Sequence, residues 1–386
     1  MVKKILKWIG ILILTLLLVV NMYALLSGKT YFYKALRYNL ANVDDYKIFD
    51  NRTISKSSKP QPWPQAKKYS HLELSPELKS TLEKYKTFAF LVVKNDSVIH
   101  EEFHDGYGNN SFSNSFSVAK SMISVLIGVA IKDNKIKSID EPVGRYLDEF
   151  NDGGKERITI KHLLTMSSGL NWDESYASPF SMTTEGYYGT DLPLLMKKMR
   201  SVEEPGKYFK YLSGNTQLLA EVLKKATGKT VSDYAHEKLW EPLGMENDAL
   251  WCLDKKGGEE KAFCCVNSNA RDFARIGSLY LHKGSWKATQ IVDSGYVSES
   301  ITSADLKNVA DNSSVNFYGL QWWLVPENAG IKAFYARGIQ GQYIIVVPEK
   351  NIVIVRLGQK RGNKVGVEQL EDVLIYIQEV CRIFSN

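Results

Sequence analysis

The chain has 386 residues, 44% of them hydrophobic and 24% charged, which is the composition of a globular protein long enough for one large domain or two ordinary ones. Its formal net charge of +6 is spread along the sequence without a block of like charges, so a nucleic-acid partner is disfavoured. The sequence has no repeat of solenoid or propeller length, which excludes those architectures.

The first predicted element is an apolar helix at the N-terminus. An apolar stretch from Ile5 to Leu26 follows Lys3 and Lys4, and about 20 apolar residues are enough to span a bilayer. The stretch is longer than the core of a cleaved signal peptide, and no small-x-small cleavage pattern follows it. We predict an uncleaved signal anchor, a transmembrane helix over residues 1–28, with the rest of the chain periplasmic or extracellular. A cleaved secretory signal is the alternative, and it leads to the same compartment.

Residues 29–70 show little periodicity and end in a polar, proline-bearing stretch, which is typical of a linker or of an arm lying on the surface. The folded domain is therefore predicted to span residues 71–386. Its first element is a β-hairpin, because two β-rich runs within residues 87–103 flank a Lys-Asn-Asp turn.

The next element is a helix that begins near Ser117. Apolar residues cover every side of it between positions 122 and 131, as expected of a helix buried in a core. Lys120 lies three residues after Ser117, so both side chains share one helix face. Burial lowers the pKa of a lysine, and a hydroxyl beside a neutral amine is an activated nucleophile. A Ser-x-x-Lys pattern alone is common, however, and a lysine in a first helical turn is more often a solvated charge.

A long, mainly helical middle follows, and we assign a helical lobe to residues 135–310. Strand patterns return at residues 318–325, 342–348 and 351–358. An amphipathic helix from about Val367 to Phe384 ends the chain. The predicted fold class is α+β: one antiparallel sheet built from N- and C-terminal segments, flanked by helices and separated from the helical lobe by a cleft.

Five separated segments accompany the Ser-x-x-Lys pattern, in order along the chain. They are TIKHLLTMSSGLNW (159–172), EEPGKYFKYLSGNTQLL (203–219), LWEPLGMEN (239–247), SNARDFARIGSLYLHKG (268–284) and ARGIQGQYIIVVPEKNIVIV (336–355). With them the sequence resembles, from about Phe88 to Gly358, the serine β-lactamase and penicillin-binding-protein superfamily and its class C branch of β-lactamase-like hydrolases. It is most similar there to 6-aminohexanoate-dimer hydrolase-like proteins, through Y-L-S-G-N-T-Q-L-L and R-G-I-Q-G-Q. The resemblance implies a β-lactamase/transpeptidase-like fold.

The resemblance also implies catalytic roles. Ser117 is the nucleophile that becomes acylated, Lys120 is its general base, and Tyr211, from the family's Tyr-x-Ser element, relays a proton to the leaving group. Tyr208 is the rival for the tyrosine role. Ser213, the third residue of the Tyr-x-Ser element, is predicted to contact substrate.

The family's Lys-Thr-Gly element falls on Ala336, Arg337 and Gly338. Gly338 lets substrate lie against the strand edge, and the N–H of Ile339 is predicted to form an oxyanion hole with that of Ser117. Because Ala336 replaces the family's lysine, the carboxylate-binding cation is absent unless Arg337 faces the cleft. This departure puts efficient β-lactam hydrolysis in doubt.

Two further side chains, Asn215 and Trp172, are predicted to contact substrate, although a structural role is an equal alternative for the tryptophan. Other catalytic schemes lack their patterns: no Gly-x-Ser elbow, no H-E-x-x-H zinc pattern and no phosphate loop occur in the sequence. No metal and no cofactor are therefore predicted. In an exported protein Cys252 can form a disulfide with Cys264 or Cys265.

The predicted function is that of a membrane-anchored serine hydrolase that cleaves an ester or amide bond of a small-molecule or peptide-like substrate through a Ser117 acyl-enzyme. Two alternatives stay open. One is a catalytically weak, envelope-tethered binding or regulatory module of the same fold, which the substitution at Ala336 favours. The other is a D-Ala-D-Ala-type peptidase, which membrane tethering favours and the missing lysine disfavours.

Overall fold

The computed structural model describes residues 1–67, 69, 73–309, 311–326 and 330–384. The predicted start of the folded domain falls on His71, which lies outside these residues. The helices are α1 (Val2–Leu26), α2 (Tyr31–Tyr38), α3 (Pro76–Lys84), α4 (Val118–Lys132), α5 (Ile160–Leu164), α6 (Met182–Tyr188), α7 (Leu192–Lys197), α8 (Ser213–Thr227), α9 (Val231–Ala235), α10 (Ala270–Leu281), α11 (Ser294–Ser300) and α12 (Glu371–Phe384). The strands are β1 (Asn51–Ile54), β2 (Thr87–Lys94), β3 (Ser97–Phe103), β4 (Ser113–Asn114), β5 (Tyr208–Phe209), β6 (Ala249–Cys252), β7 (Val266–Ser268), β8 (Ser285–Trp286), β9 (Thr289–Gln290), β10 (Lys307–Asn308), β11 (Trp323–Val325), β12 (Ala333–Gly338), β13 (Gln342–Val347), β14 (Ile352–Gly358), β15 (Lys364–Val365) and β16 (Gln369–Leu370).

The main sheet joins the two ends of the folded region, as the sequence predicts. Its six strands lie in the order β11-β12-β13-β14-β2-β3, and every neighbouring pair is antiparallel. The predicted hairpin forms β2 and β3, and β2 pairs directly with β14, with Val92 opposite Ile354. The α+β prediction is confirmed.

Both faces of this sheet are covered, because successive side chains of a strand point to opposite sides. On β2, Leu91 and Val93 belong to the apolar cluster that includes residues of α4 and α10. Their neighbours Phe90 and Val92 belong to a second cluster that includes residues of α3 and α12. Two buried faces explain why these strands read as nearly continuous apolar runs.

Helix α4 lies between the sheet and the helices of the middle segment. It contacts α8 on one side and β12 and β13 on the other, and every residue from Val118 to Ala130 is buried. The ring of Tyr296 in α11 occupies the space where a Cβ of Gly128 would lie, so only glycine fits there. The prediction of a helix buried on every side is confirmed.

The N-terminal segment has an exposed part and a packed part. Helix α1 is long and apolar enough to cross a membrane, and it is almost entirely exposed. After α2, strand β1 pairs antiparallel with β6 in a four-stranded sheet of order β1-β6-β7-β4. Farther along, the Nε1 of the buried Trp63 donates to the carbonyl oxygen of Arg271 at 2.9 Å. The described part of residues 29–70 therefore lies on the body as an arm.

Two element boundaries, those of β11 and α12, differ from the sequence-based expectations. Strand β11 is shorter than the predicted 318–325, because Gln321 has a left-handed φ of 64° and its amide donates to the carbonyl oxygens of Leu163 and Leu164. Helix α12 begins at Glu371 because β15 and β16 form a short hairpin just before it. Helix α10, which falls inside the range assigned to the lobe, lies against β13 and β14 of the main sheet.

A buried ion cluster ties the arm to α10. The Arg275 guanidinium is fully buried, and it donates to Asp272 Oδ1 at 3.0 Å and to Glu246 Oε1 at 2.9 Å. It also donates to the carbonyl oxygen of Gln61 in the arm. One side chain therefore holds together α10, the loop before β6 and the arm.

Replacing this arginine tests the cluster. We expect Arg275→Met to lower the free energy of unfolding by about 3–5 kcal/mol, because it leaves the buried Asp272 carboxylate without its cation. Urea denaturation of the full chain in a mild detergent, followed by tryptophan fluorescence, measures the change. Arg157→Met removes an arginine of an exposed pair, with Glu204 as its partner, and serves as the control with little expected effect. Equal stability of both variants would contradict a structural role for the cluster.

Candidate active site

Ser117 sits on a tight turn immediately before α4. Phe116 has a left-handed φ of 45°, and its N–H donates to Asn114 Oδ1 at 2.9 Å. The N–H of Ser115 donates to the carbonyl oxygen of Val266 in β7 at 2.8 Å. The backbone of the turn is thus bonded both to the side chain of Asn114 and to strand β7. These two bonds fix Ser117, the N-cap residue of α4, relative to the four-stranded sheet.

Lys120 lies one helical turn farther along, with only 2% of its surface exposed. Its Nζ lies 3.0 Å from Ser117 Oγ and donates to the carbonyl oxygen of Phe263 at 2.7 Å. Burial lowers the pKa of Lys120 from 10.5 to about 8, and the negative charge of Glu174 opposes this shift. The amine is therefore partly neutral near physiological pH, and its neutral form can accept the hydroxyl proton of Ser117.

Tyr211 completes a compact group around the serine. Its ring centroid lies 5.1 Å from Lys120 Nζ, and its ring packs against Trp323 at 5.6 Å between centroids. Burial raises the pKa of the Tyr211 phenol, and a hydrogen bond with Ser117 opposes that rise. The phenol therefore stays protonated at neutral pH, as a proton donor requires.

The rival tyrosine lies elsewhere. Tyr208 belongs to β5, which pairs with β10. Two surface recesses, described below, meet at Ser117, and Tyr208 lines neither of them. The structure therefore brings Tyr211, and not Tyr208, to the serine and the lysine.

The end of β12 meets the turn that carries Ser117. Gly338 forms the last ladder pair with Gln342, and a Cβ on Gly338 would overlap the carbonyl oxygen of Ser115. The N–H of Ile339 lies past the paired part of the strand, and the N–H of Ser117 lies at a helix N-terminus, where no intrahelical acceptor is available. Both residues line the two recesses described next.

Two recesses meet at Ser117. The first, called the apolar recess, has a volume of about 200 Å³. It is lined by Asn39, Leu40, Ala41, Phe116, Ser117, Tyr176, Thr183, Thr184, Tyr187, Tyr188, Ser213, Phe263, Cys264, Ile339 and Gln340. The second, called the charged recess, is lined by Ser117, Tyr176, Phe209, Tyr211, Trp323, Arg337, Gly338, Ile339, Arg361, Lys364 and Glu368. Ser117, Tyr176 and Ile339 border both, so a substrate bound at the serine can extend in two chemically different directions.

Arg337 faces the cleft, but its guanidinium is already paired. It donates to the carbonyl oxygen and to Oε2 of Glu368, at 3.0 and 3.1 Å, and lies 3.3 Å from the centroid of the Trp323 ring. Ala336, at the position of the family's lysine, is fully buried within the sheet. The exposed cations of the charged recess are instead Arg361 and Lys364, which the sequence analysis did not single out. Their only sequence signal is a basic turn just after the strand predicted at residues 351–358.

The other predicted substrate contacts divide into two groups. Ser213 lines the apolar recess, with its Oγ donating to Glu174 Oε1 at 2.7 Å and its N–H donating to Oε2 at 2.6 Å. Asn215 is fully buried, and its Oδ1 accepts a hydrogen bond from Ser168 Oγ at 2.6 Å. Trp172 is also buried, and its Nε1 donates to Thr183 Oγ1 at 3.0 Å. Asn215 and Trp172 line neither recess, so the structure gives them supporting positions instead of the predicted contacts.

The cysteines pair differently from the bridge that the sequence allows. Cys264 and Cys265, adjacent in sequence, form a disulfide, whereas Cys252 is a buried free thiol whose pKa burial raises to about 12. The thiol of Cys252 accepts a hydrogen bond from Asn267 Nδ2 at 3.3 Å and is thereby occupied within the small sheet. Cys264 lines the apolar recess, next to the residue whose carbonyl oxygen binds Lys120. Within the described part of the chain, no group of three His, Cys, Asp or Glu side chains is placed to hold a metal ion.

Comparison with known proteins agrees with this geometry. A family model described as Beta-lactamase matches residues 79–376. The chain is 26% identical to the 6-aminohexanoate-dimer hydrolase of Paenarthrobacter ureafaciens, over 73% of this chain and 75% of that protein. It is 23% identical to the teichoic acid D-alanine hydrolase of Staphylococcus aureus, over 71% of this chain and 70% of that protein.

Solved structures show the same fold. A provisionally assigned 6-aminohexanoate-dimer hydrolase from Bacillus anthracis has a TM-score of 0.76 and 22% identity, over 90% of this chain and 93% of that one. A family VIII carboxylesterase has a TM-score of 0.62 and 15% identity, over 81% of this chain and 98% of that one. The resemblance stated from the sequence is confirmed.

The disulfide can be tested by counting thiols. Because Cys252 and Cys381 are free and the adjacent pair is oxidised, we expect two maleimide adducts on the unreduced, denatured protein and four after reduction. Intact-protein mass spectrometry gives both counts. Peptide mapping of the unreduced protein should then place both labels outside the segment that contains Cys264. A label on Cys264 and protection of Cys252 would instead support a bridge from Cys252 to Cys265, which the sequence also allows.

Proposed function

The chain belongs to the beta-lactamase family and is a serine hydrolase of the esterase or amidase type, and we propose that it forms its acyl-enzyme on Ser117. The observation that carries this proposal is the 3.0 Å separation of Ser117 Oγ from the Nζ of a lysine that is almost completely buried. A buried amine at this position has little structural value, since burying an ionisable group costs free energy. The same observation disfavours a purely binding module.

Acylation follows from the positions of these groups. The neutral Lys120 amine takes the Oγ proton while Oγ attacks the carbonyl carbon of the substrate. The negative charge that develops on the carbonyl oxygen is stabilised by the N–H groups of Ser117 and Ile339. When the bond to the leaving oxygen or nitrogen breaks, the Tyr211 phenol donates a proton to it and recovers one from Lys120. Water then attacks the Ser117 ester, and the same groups act in reverse to release the acid.

We also propose that α1 anchors the enzyme in a membrane, with the hydrolase domain periplasmic or extracellular. The proposal rests on the length and composition of α1 and on its exposure, since an apolar helix of 25 residues with so little contact to the body needs another apolar environment. A relative named as a teichoic acid D-alanine hydrolase favours a location in the cell envelope.

The three catalytic assignments predict a pattern of covalent labelling. Incubation of the full chain with a fluorophosphonate should give a single adduct, seen by intact-protein mass spectrometry, that is absent in Ser117→Ala. Lys120→Met and Tyr211→Phe should fold but lower kcat/KM for p-nitrophenyl acetate by about 10²–10⁴-fold, the usual contribution of a positioned acid or base.

Ser121→Ala is the matched control for labelling. Ser121 lies in the same helix, and its hydroxyl donates to the carbonyl oxygen of Gln321 at 2.6 Å. This variant should therefore keep the adduct. An adduct that survives Ser117→Ala would refute the assignment of the nucleophile.

The lowered pKa of Lys120 predicts the pH dependence of the reaction. The base acts in its neutral form, so kcat/KM should fall as the pH drops below about 8 and level off above it. Glu174→Gln removes a negative charge that stabilises the ammonium, so the midpoint should move to lower pH. Stopped assays with p-nitrophenyl acetate, corrected for spontaneous hydrolysis, give the profile. A midpoint that Glu174→Gln moves to higher pH would contradict the role of Lys120.

A further inference from the structure

The wall of the apolar recess includes residues that the family domain does not supply. Asn39, Leu40 and Ala41 line the recess, yet they belong to the arm and precede the matched range 79–376. The carbonyl oxygen of Ala41 accepts a hydrogen bond from Gln340 Nε2 at 2.6 Å. Gln340 directly follows Ile339, so this contact fixes the arm beside the proposed oxyanion hole.

A second contact attaches the arm to the strand that precedes the Ser117 turn. The backbone N–H of Asn114, in the strand before the Ser117 turn, donates to the carbonyl oxygen of Val43 at 2.9 Å. In addition, the Tyr188 hydroxyl donates to the carbonyl oxygen of Asn39 at 3.4 Å. The wall formed by residues 39–41 is therefore attached at both of its ends.

The recess offers no charged partner to a substrate. Its described lining contains no Asp, Glu, Lys or Arg side chain. Of its tyrosines, Tyr187 donates its hydroxyl to Asp45 Oδ2 at 2.7 Å and Tyr188 donates to the arm, so these hydroxyls are already used. A charged group placed there would lose hydration without gaining an ion pair from the described lining.

The position of Tyr211 decides which half of a substrate enters the recess. A residue that gives a proton to the leaving group must face the leaving group, and Tyr211 lines the charged recess but not the apolar one. The leaving group therefore lies toward the charged recess, and the acyl group extends into the apolar recess.

We propose that the apolar recess is an acyl subsite for uncharged, apolar acyl groups and that Leu40 of the arm is a specificity-determining residue of this subsite. The inference rests on the proposed hydrolase function and names the acyl side of its substrate class: esters or amides of apolar carboxylic acids. Leu40 suits a test by substitution, because it lines the recess while its side chain is largely exposed, so a change there does not disturb the core.

The test compares acyl chains on one leaving group. For the full chain in detergent, kcat/KM is measured with the p-nitrophenyl esters of acetate, butyrate and hexanoate. We expect the ratio of kcat/KM for hexanoate to that for acetate to exceed one in the wild type and to fall by about tenfold or more in Leu40→Asp, the range that a few methylene contacts provide. Leu40→Met should keep the wild-type ratio.

Leu36→Asp is the matched control, since Leu36 is an exposed leucine of α2 that lines neither recess. It should leave the ratio unchanged in the same detergent. An unchanged ratio in Leu40→Asp, or faster cleavage of D-alanine p-nitroanilide than of butyric p-nitroanilide, would overturn the acyl-subsite proposal. If the wild type neither hydrolyses p-nitrophenyl acetate nor forms the fluorophosphonate adduct, the hydrolase proposal itself has failed.

Discussion

The exclusion of water from the Lys120 amine is the constraint that the rest of the site satisfies. An ammonium in an apolar interior costs several kcal/mol, and this cost makes the neutral amine accessible. Keeping water away from this amine requires α4 to be covered by the main sheet and by α8. This cover explains why the helix is apolar on every side. The carbonyl oxygen of Phe263 then supplies an acceptor that orients the amine toward Ser117.

A second requirement is that the turn carrying Ser117, the proposed nucleophile, and the end of β12 approach closely. The left-handed Phe116 costs on the order of 1–3 kcal/mol in a non-glycine residue, and it persists because Asn114 and β7 hold the turn. Gly338 makes the approach possible, since no side chain fits between the strand and the turn. Ser117 and Ile339, which are distant in sequence, thereby line the same two recesses.

The sequence predicts those features that depend on short residue spacings or on the repeat of apolar residues along a helix or strand. The placement of Lys120 one turn after Ser117, the buried helix, the hairpin and the antiparallel sheet all follow from spacing and apolar pattern. It does not predict the partner of a side chain when several are available. The pairing of Arg337 with Glu368 and the burial of Asn215 depend on the tertiary packing of segments far apart in sequence. The polar, proline-rich composition of the arm is typical of a linker. It gives no sign of the four residues of β1 or of the few side chains that anchor the arm to the body.

The arm has a consequence for how a water-soluble form of the enzyme would behave. Cutting the chain after residue 72 removes α1, but it also removes β1, which covers one edge of β6 in the order β1-β6-β7-β4. The N–H and C=O groups of β6 would then be open to pairing with another molecule, and exposed strand edges of this kind promote aggregation. The same cut opens the side of the recess that Leu40 closes. A truncation that keeps the chain from about residue 29 onward preserves both, so the boundary chosen for expression decides whether the isolated domain reports the chemistry of the intact enzyme.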